Sequence, residues 1–126
     1  MENFNGKIAV ITGGGTGMGR ELTYQLAAEG CNVSICDVIE ENMEETFQQA
    51  SKKYPQVKIT KHLCDVSSED DVLRFRDEVL EQQETEHINL LFNNAGIGGG
   101  ASFVLSGIEE WERTFKICWD GVYLCS

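Results

Sequence analysis

The chain has 126 residues, enough for one domain or part of one, and its composition, 41% apolar and 25% charged, is that of an ordinary globular protein. Ten Lys and Arg stand against 21 Asp and Glu, and the net charge of -11 argues against nucleic acid or an anionic membrane as partner. The start, MENFNGKIAVITGGG, has no basic n-region, and no apolar run is long enough to cross a bilayer, so a cytoplasmic location is expected.

In chain order, KIAVIT (7–12) is a short apolar run closed by glycines, which predicts a buried strand. The stretch from Gly17 to about Glu29 predicts a helix with Met18, Leu22 and Leu26 on one face and Gly30 as its stop. CNVSICD (31–37) reads as the second strand. Residues 40–53 are helical by composition, with Met43, Phe47 and Ala50 aligned. VKITKHLCD (57–65) reads as the third strand. SSEDDVLRFRDEVLEQQ (67–83) predicts a third helix, capped by Ser68 and turning Val72, Phe75, Val79 and Leu80 inward. The acidic runs EENMEE and SSEDD are expected to be solvated helix starts, favoured by the dipole.

HINLLFNNAG (87–96) is a fourth strand running into a loop, which GIGGG (96–100) keeps permissive. From Ile108 to the end, Trp111, Phe115, Cys118, Trp119 and Val122 recur at helical spacing. Strand–helix alternation without repeats or a linker predicts an α/β fold, a Rossmann-type doubly wound parallel sheet. Its four strands take the order 3-2-1-4 with helices on both faces. The five cysteines show no C-x-x-C and no zinc-like spacing with His62 or His87, so no metal site is expected and the thiols are expected to be reduced.

The chemistry begins in TGGGTGMG (12–19), between the first strand and the first helix. Glycines there permit a tight turn and close approach of main chain to a diphosphate, and free amides at the helix start face the anion. Asp37 ends the second strand, 18 residues past Gly19. Its carboxylate can accept from both hydroxyls of an adenosine ribose and would repel a 2′-phosphate. No Arg follows it and no Lys or Arg lies in the loop before Gly17, which favours NAD over NADP.

With CDV (64–66) and NNAG (93–96) in the same order and at matching intervals, the chain resembles the short-chain dehydrogenases/reductases from about Gly6 to Ser126. The resemblance implies that Gly13, Thr16, Gly17, Met18 and Gly19 wrap the diphosphate and Asp37 the ribose. Asp65 and Val66 would flank the adenine, the carboxylate accepting from its amino group and the next amide donating to the ring. Asn93, Ala95 and Gly96 would line the far wall, with Ile117 at the cofactor's edge. Asn93 could also bridge two strand ends. The implied activity is NAD-dependent hydride transfer between an alcohol and a ketone on a small organic molecule. The implied assembly of the complete protein is a homo-oligomer.

The family's proton-transfer pair, a Tyr and a Lys four apart on a helix, belongs after NNAG. YPQVK (54–58) has that spacing but precedes the Asp-Val pair. Pro55 disfavours a helix at Tyr54, and Lys58 already belongs to a strand, so the match is a coincidence. Tyr24 is followed four later by Ala28, and Tyr123 has no position 127, so no catalytic residue is assigned. Cys118 stands where the family places an active-site Asn, and a thiol replaces an amide poorly; packing on the apolar face explains it better. Residues 1–126 are therefore expected to be the dinucleotide-binding, N-terminal part of such an enzyme, an incomplete domain. The rival is a nucleotide-binding module without catalysis. A methyltransferase, which also uses an acid after its second strand, is disfavoured by NNAG.

Overall fold

β1 (Ile8–Thr12) is buried at all five positions, as a continuous apolar run demands of a strand covered on both faces. The structure is a computed structural model describing residues 3–98 and 104–126, so positions 99 and 100 of GIGGG lie outside the described residues. The elements that follow are α1 (Gly17–Ala28), β2 (Asn32–Asp37), α2 (Glu40–Lys53), β3 (Ile59–Leu63), α3 (Glu69–Gln82) and β4 (Leu90–Phe92). α4 (Ile108–Phe115), a π-helical turn (Lys116–Asp120) and α5 (Gly121–Cys125) make the last helical stretch. The strands are parallel in the order β3-β2-β1-β4, as the alternation required. β3 and β4 are shorter than their apolar runs suggested, at both ends, because parallel pairing extends only over Ile59–Leu63 and Leu90–Phe92.

Strand periodicity divides the interior into two cores. Ala9, Ile11, Val33, Ile35 and Ile59 face α1 and α2, packing on Leu26, Met43 and Ala50. Val10 and Cys36 face the other way, against Val72, Phe75 and Val79 of α3. Both acidic runs open helices: α2 carries Glu40 and Glu41 in its first turn, and α3 carries Glu69, Asp70 and Asp71 after the Ser68 cap.

One expectation about packing needs correction. Met18 is 78% exposed and does not join Leu22 and Leu26 on the inner face, because it sits in the first turn of α1, beside the open loop after β1. The aromatic residues of the last helices are exposed and stack along the helix: Trp111 on Phe115 with centroids 5.3 Å apart, and Phe115 on Trp119 at 5.7 Å.

Beneath α3 the even-numbered face of the sheet carries a buried polar row. Gln83 Nε2 donates to Ser34 Oγ at 2.9 Å, Ser34 and Thr60 hydroxyls lie 2.6 Å apart, and Thr60 Oγ1 is 2.9 Å from His62 Nε2. His62 Nδ1 is 2.9 Å from Glu78 Oε2. A carboxylate only accepts, so Nδ1 carries the proton and Nε2 accepts from Thr60, whose oxygen in turn accepts from Ser34. All four contacts run in one direction, which satisfies each buried group.

Candidate functional site

The carboxyl ends of the four strands open onto one cleft of about 390 Å³. The loop after β1 and the start of α1 contribute Gly13, Thr16, Gly17 and Met18. Asp37, Val38 and Ile39 form the lip at β2, and Asp65 with Val66 the wall after β3. Asn94, Ala95 and Gly96 follow β4, while Arg113 and Ile117 come from the last helical stretch. Cys36 and Cys64 lie at the strand ends below. Hydrogen-bond contact with Cys64, then burial, pushes the Cys36 thiol well above the ordinary thiol range, so that thiol is uncharged.

Thr16 is extended, with φ -146° and ψ 171°, and turns the chain into α1 without capping it by a side chain. The first turn of α1 has no acidic residue, unlike those of α2 and α3. An anion arriving there meets orphan amides that no side chain has neutralised. Gly17 lines the cleft at φ +55°, a conformation that disfavours other residues, and a Cβ there would meet nothing within 4 Å.

Three side chains shape the loop. Asp37 Oδ2 accepts from the Gly15 amide at 3.0 Å, and its Oδ1 accepts from the Val38 amide at 2.8 Å. Arg20 Nη2 donates to the Gly15 carbonyl at 2.6 Å and pairs with Glu45 Oε2 at 3.1 Å. Thr46 Oγ1 donates to the same carbonyl at 3.1 Å. The loop is thus held from α1, β2 and α2 before any ligand arrives, a preorganised cradle.

After β3, the Asp65 amide donates to Asp71 Oδ2 at 2.9 Å, and Asp65 Oδ1 accepts from the Ser67 amide at 2.9 Å and hydroxyl at 2.6 Å. Among the described residues neither Asp65 Oδ2 nor the Val66 amide has a hydrogen-bond partner. An acceptor and a donor therefore stand side by side in the cleft wall. After β4, Asn94 Nδ2 donates to the carbonyls of Thr12 at 3.1 Å and Gly13 at 3.2 Å. The Thr12 hydroxyl, buried, accepts from the amides of Asn94 at 3.1 Å and Ala95 at 3.0 Å.

Ten of the twelve residues singled out from sequence line this cleft; Gly19 and Asn93 do not. Gly19 permits packing: a Cβ there would fall 2.1 Å from the Gly13 carbonyl oxygen. The bridging of strand ends foreseen for Asn93 falls to Asn94. Asn93 Nδ2 donates instead to Ser126 Oγ at 3.2 Å, and its buried Oδ1 is without a partner among the described residues. Cys118 is exposed, with Sγ 3.5 Å from the Ile97 carbonyl, and so is not a buried packing residue. Tyr54 ends α2, and Lys58 pairs with Glu84 at 3.0 Å beside the first residues of β3, at the sheet's amino edge. Sequence reasoning missed Arg20, Thr46, Asn94 and Arg113. Only the doubled Asn in NNAG signalled one of them.

The family model described as short chain dehydrogenase matches residues 7–126. Among curated relatives, human epidermal retinol dehydrogenase 2 is 34% identical over 116 residues, covering 92% of this chain and 37% of that protein. A short-chain dehydrogenase/reductase from Burkholderia phymatum solved in complex with NAD is 32% identical with a TM-score of 0.90, covering 99% of this chain and 43% of that one. NAD+-bound xylitol dehydrogenase is 30% identical with a TM-score of 0.88, covering 97% and 46%. The chain spans less than half the length of each of these three.

Proposed function

The chain belongs to the short-chain dehydrogenase family of oxidoreductases, and from that premise we propose that residues 1–126 form the NAD-binding part of an enzyme that interconverts an alcohol and a ketone on a small organic molecule. The observation that carries this is Asp37: a carboxylate at the end of β2, bound to the Gly15 amide and lining the same cleft as the glycine loop. The donor set fits an adenine dinucleotide. Uncapped amides at the start of α1 suit its diphosphate, Asp37 suits two ribose hydroxyls, and the Asp65 carboxylate with the Val66 amide suits an adenine edge. Within this reading Thr16, Gly17 and Met18 bind the diphosphate through main chain, and Ala95 and Gly96 form the opposite wall. Ile117 and the exposed Ile39 supply apolar surface on either side of the base.

NAD supplies the hydride acceptor and NADH the donor. These residues hold the cofactor and orient it, and proton transfer at the substrate falls to residues outside this set. The preference for NAD over NADP follows from charge. Among the described residues the cleft is lined by two carboxylates, Asp37 and Asp65, and one cation, Arg113, so a 2′-phosphate beside Asp37 meets repulsion. NADH and NADPH titrations of the wild type and Asp37→Ala, followed by nicotinamide fluorescence, test this. Asp37→Ala should weaken NADH about tenfold or more, since a hydrogen bond to a charged group is worth about 1.5–3 kcal/mol, while NADPH weakens little. Equal losses for the two would mean that Asp37 serves the loop alone, and the ribose assignment would fall.

A further inference from the structure

The wall that carries Asp65 and Val66 has no secondary structure of its own, yet α3 grips the chain at successive points from the end of β3 into that wall. Glu78 Oε2 is 2.9 Å from His62 Nδ1, Arg74 Nη2 donates to the Leu63 carbonyl at 2.9 Å, and Asp71 Oδ2 accepts from the Asp65 amide at 2.9 Å. The three side chains are also joined to each other: Arg74 Nη1 lies 3.2 Å from Asp71 Oδ1, and Arg74 Nε 3.6 Å from Glu78 Oε1. Spacings of three and four residues put them on one face of α3, so a single alternating stripe of charge tracks the end of β3.

Asp71 is the member nearest the site. In a reciprocal cap, the carboxylate three residues after the cap returns to the cap residue's own amide. Here the forward half is present, since Ser68 Oγ accepts from the Asp71 amide at 3.3 Å. The return half is not. The Ser68 amide goes to the Asp65 carbonyl at 3.0 Å, and Asp71 reaches past it to the Asp65 amide. The Asp65 peptide is therefore fixed from both sides. Asp65 Oδ1 is held by Ser67, which leaves Oδ2 and the Val66 amide as an acceptor–donor pair without partners among the described residues.

We propose that Asp71, braced by Arg74, is a positioning residue that sets the base specificity of the cleft by holding Asp65 and Val66 in register with the amino-pyrimidine edge of adenine. The proposal rests on the NAD-binding reading given above. An adenine presents a donor at its amino group and an acceptor at the adjacent ring nitrogen, complementary to Oδ2 and the Val66 amide. Hypoxanthine presents an oxygen and a protonated ring nitrogen, the reverse pattern, so a wall in register rejects it and a wall free to rotate does not. The Asp65 amide, more than any other group, holds the Asp71 carboxyl below the usual range, as expected of a carboxylate committed to that contact.

The test compares NADH with its hypoxanthine analogue in fluorescence titrations of the wild type, Asp71→Ala, Asp71→Asn and Arg74→Met, with thermal melts alongside. Wild type should prefer NADH by about tenfold or more. Asp71→Ala should bring the ratio to within about twofold of one, and Asp71→Asn, which keeps an oxygen for the Asp65 amide, should restore most of it. Arg74→Met, which leaves the cap intact, should lower the ratio even if Asp71→Ala does not fold. A ratio unchanged in Asp71→Ala and Arg74→Met, with both affinities reduced together, overturns the positioning role and leaves NAD binding standing. A wild type that binds NADH but does not discriminate removes the adenine contact and the proposal with it. A wild type that binds neither overturns the functional reading itself.

Discussion

Gly19→Ala sets two well-known effects against each other. Alanine in place of glycine favours a helix by about 0.5–1 kcal/mol, and position 19 lies within α1, so propensity alone predicts stabilisation. The geometry predicts the opposite. The new Cβ would lie 2.1 Å from the Gly13 carbonyl oxygen and 2.7 Å from Asn94 Nδ2, about 1.3 Å inside the 3.4 Å at which ordinary contact with that oxygen begins. Neither neighbour can swing away, since the oxygen is main chain and Asn94 Nδ2 is bound to two carbonyls. Helix and loop must part. Overpacking of this kind costs about 1–3 kcal/mol, and loss of the two Asn94 hydrogen bonds about 0.5–1.5 kcal/mol each. The clash wins, and the net loss is about 1–5 kcal/mol against a total stability of about 5–15 kcal/mol. Urea unfolding followed by far-ultraviolet circular dichroism should show the midpoint falling by about 0.3 M or more, for a slope of about 1–3 kcal/mol/M, with NADH affinity reduced because the cradle has shifted. A variant that unfolds at the wild-type midpoint and binds NADH as before would refute the close-packing argument.

Thr12→Val keeps the shape of the side chain but removes the side-chain acceptor that the Ala95 amide has among the described residues; it should cost about 1–3 kcal/mol in urea unfolding, and an unchanged midpoint would show that the loop after β4 does not depend on it. His62 supplies a pH dependence whose sign is set by burial, which holds its pKa below the usual histidine value while the bond to Glu78 opposes this only in part. The unfolded chain therefore takes up this proton at a higher pH than the native one, so the contribution is complete above about pH 6.5 and is lost as pH falls toward the native pKa. Arg74 beside Glu78 adds a further cation on that side. Between pH 7.5 and 5.5 the wild-type midpoint should fall by more than that of His62→Gln, and equal shifts in the two would exclude the histidine as the source.

The order of strands and helices was legible from one chain, because the unbroken apolar run in IAVIT and period three to four in DVLRFRDEVL are local properties that survive in any packing. The glycine loop and Asp37 were legible for a related reason: a turn into a helix that must admit an anion needs glycine at set intervals, and the acid that completes it ends the very next strand. Contacts between distant segments were not. Asn93 and Asn94 are the same residue side by side, and only the bend at the end of β4 decides that the second reaches Thr12 and Gly13 while the first turns to Ser126. Met18 obeys helical spacing, yet it lines the open cleft and stays 78% exposed, while Gly19 beside it is buried against the loop after β1. Arg20 and Asp71 read as ordinary surface charges on amphipathic helices. Their roles arise because α2 and the end of β3 are brought within 3 Å or so of them by parallel crossovers. Periodicity says which face of an element is buried; the register between elements, set by packing over the whole sheet, says which atoms meet there.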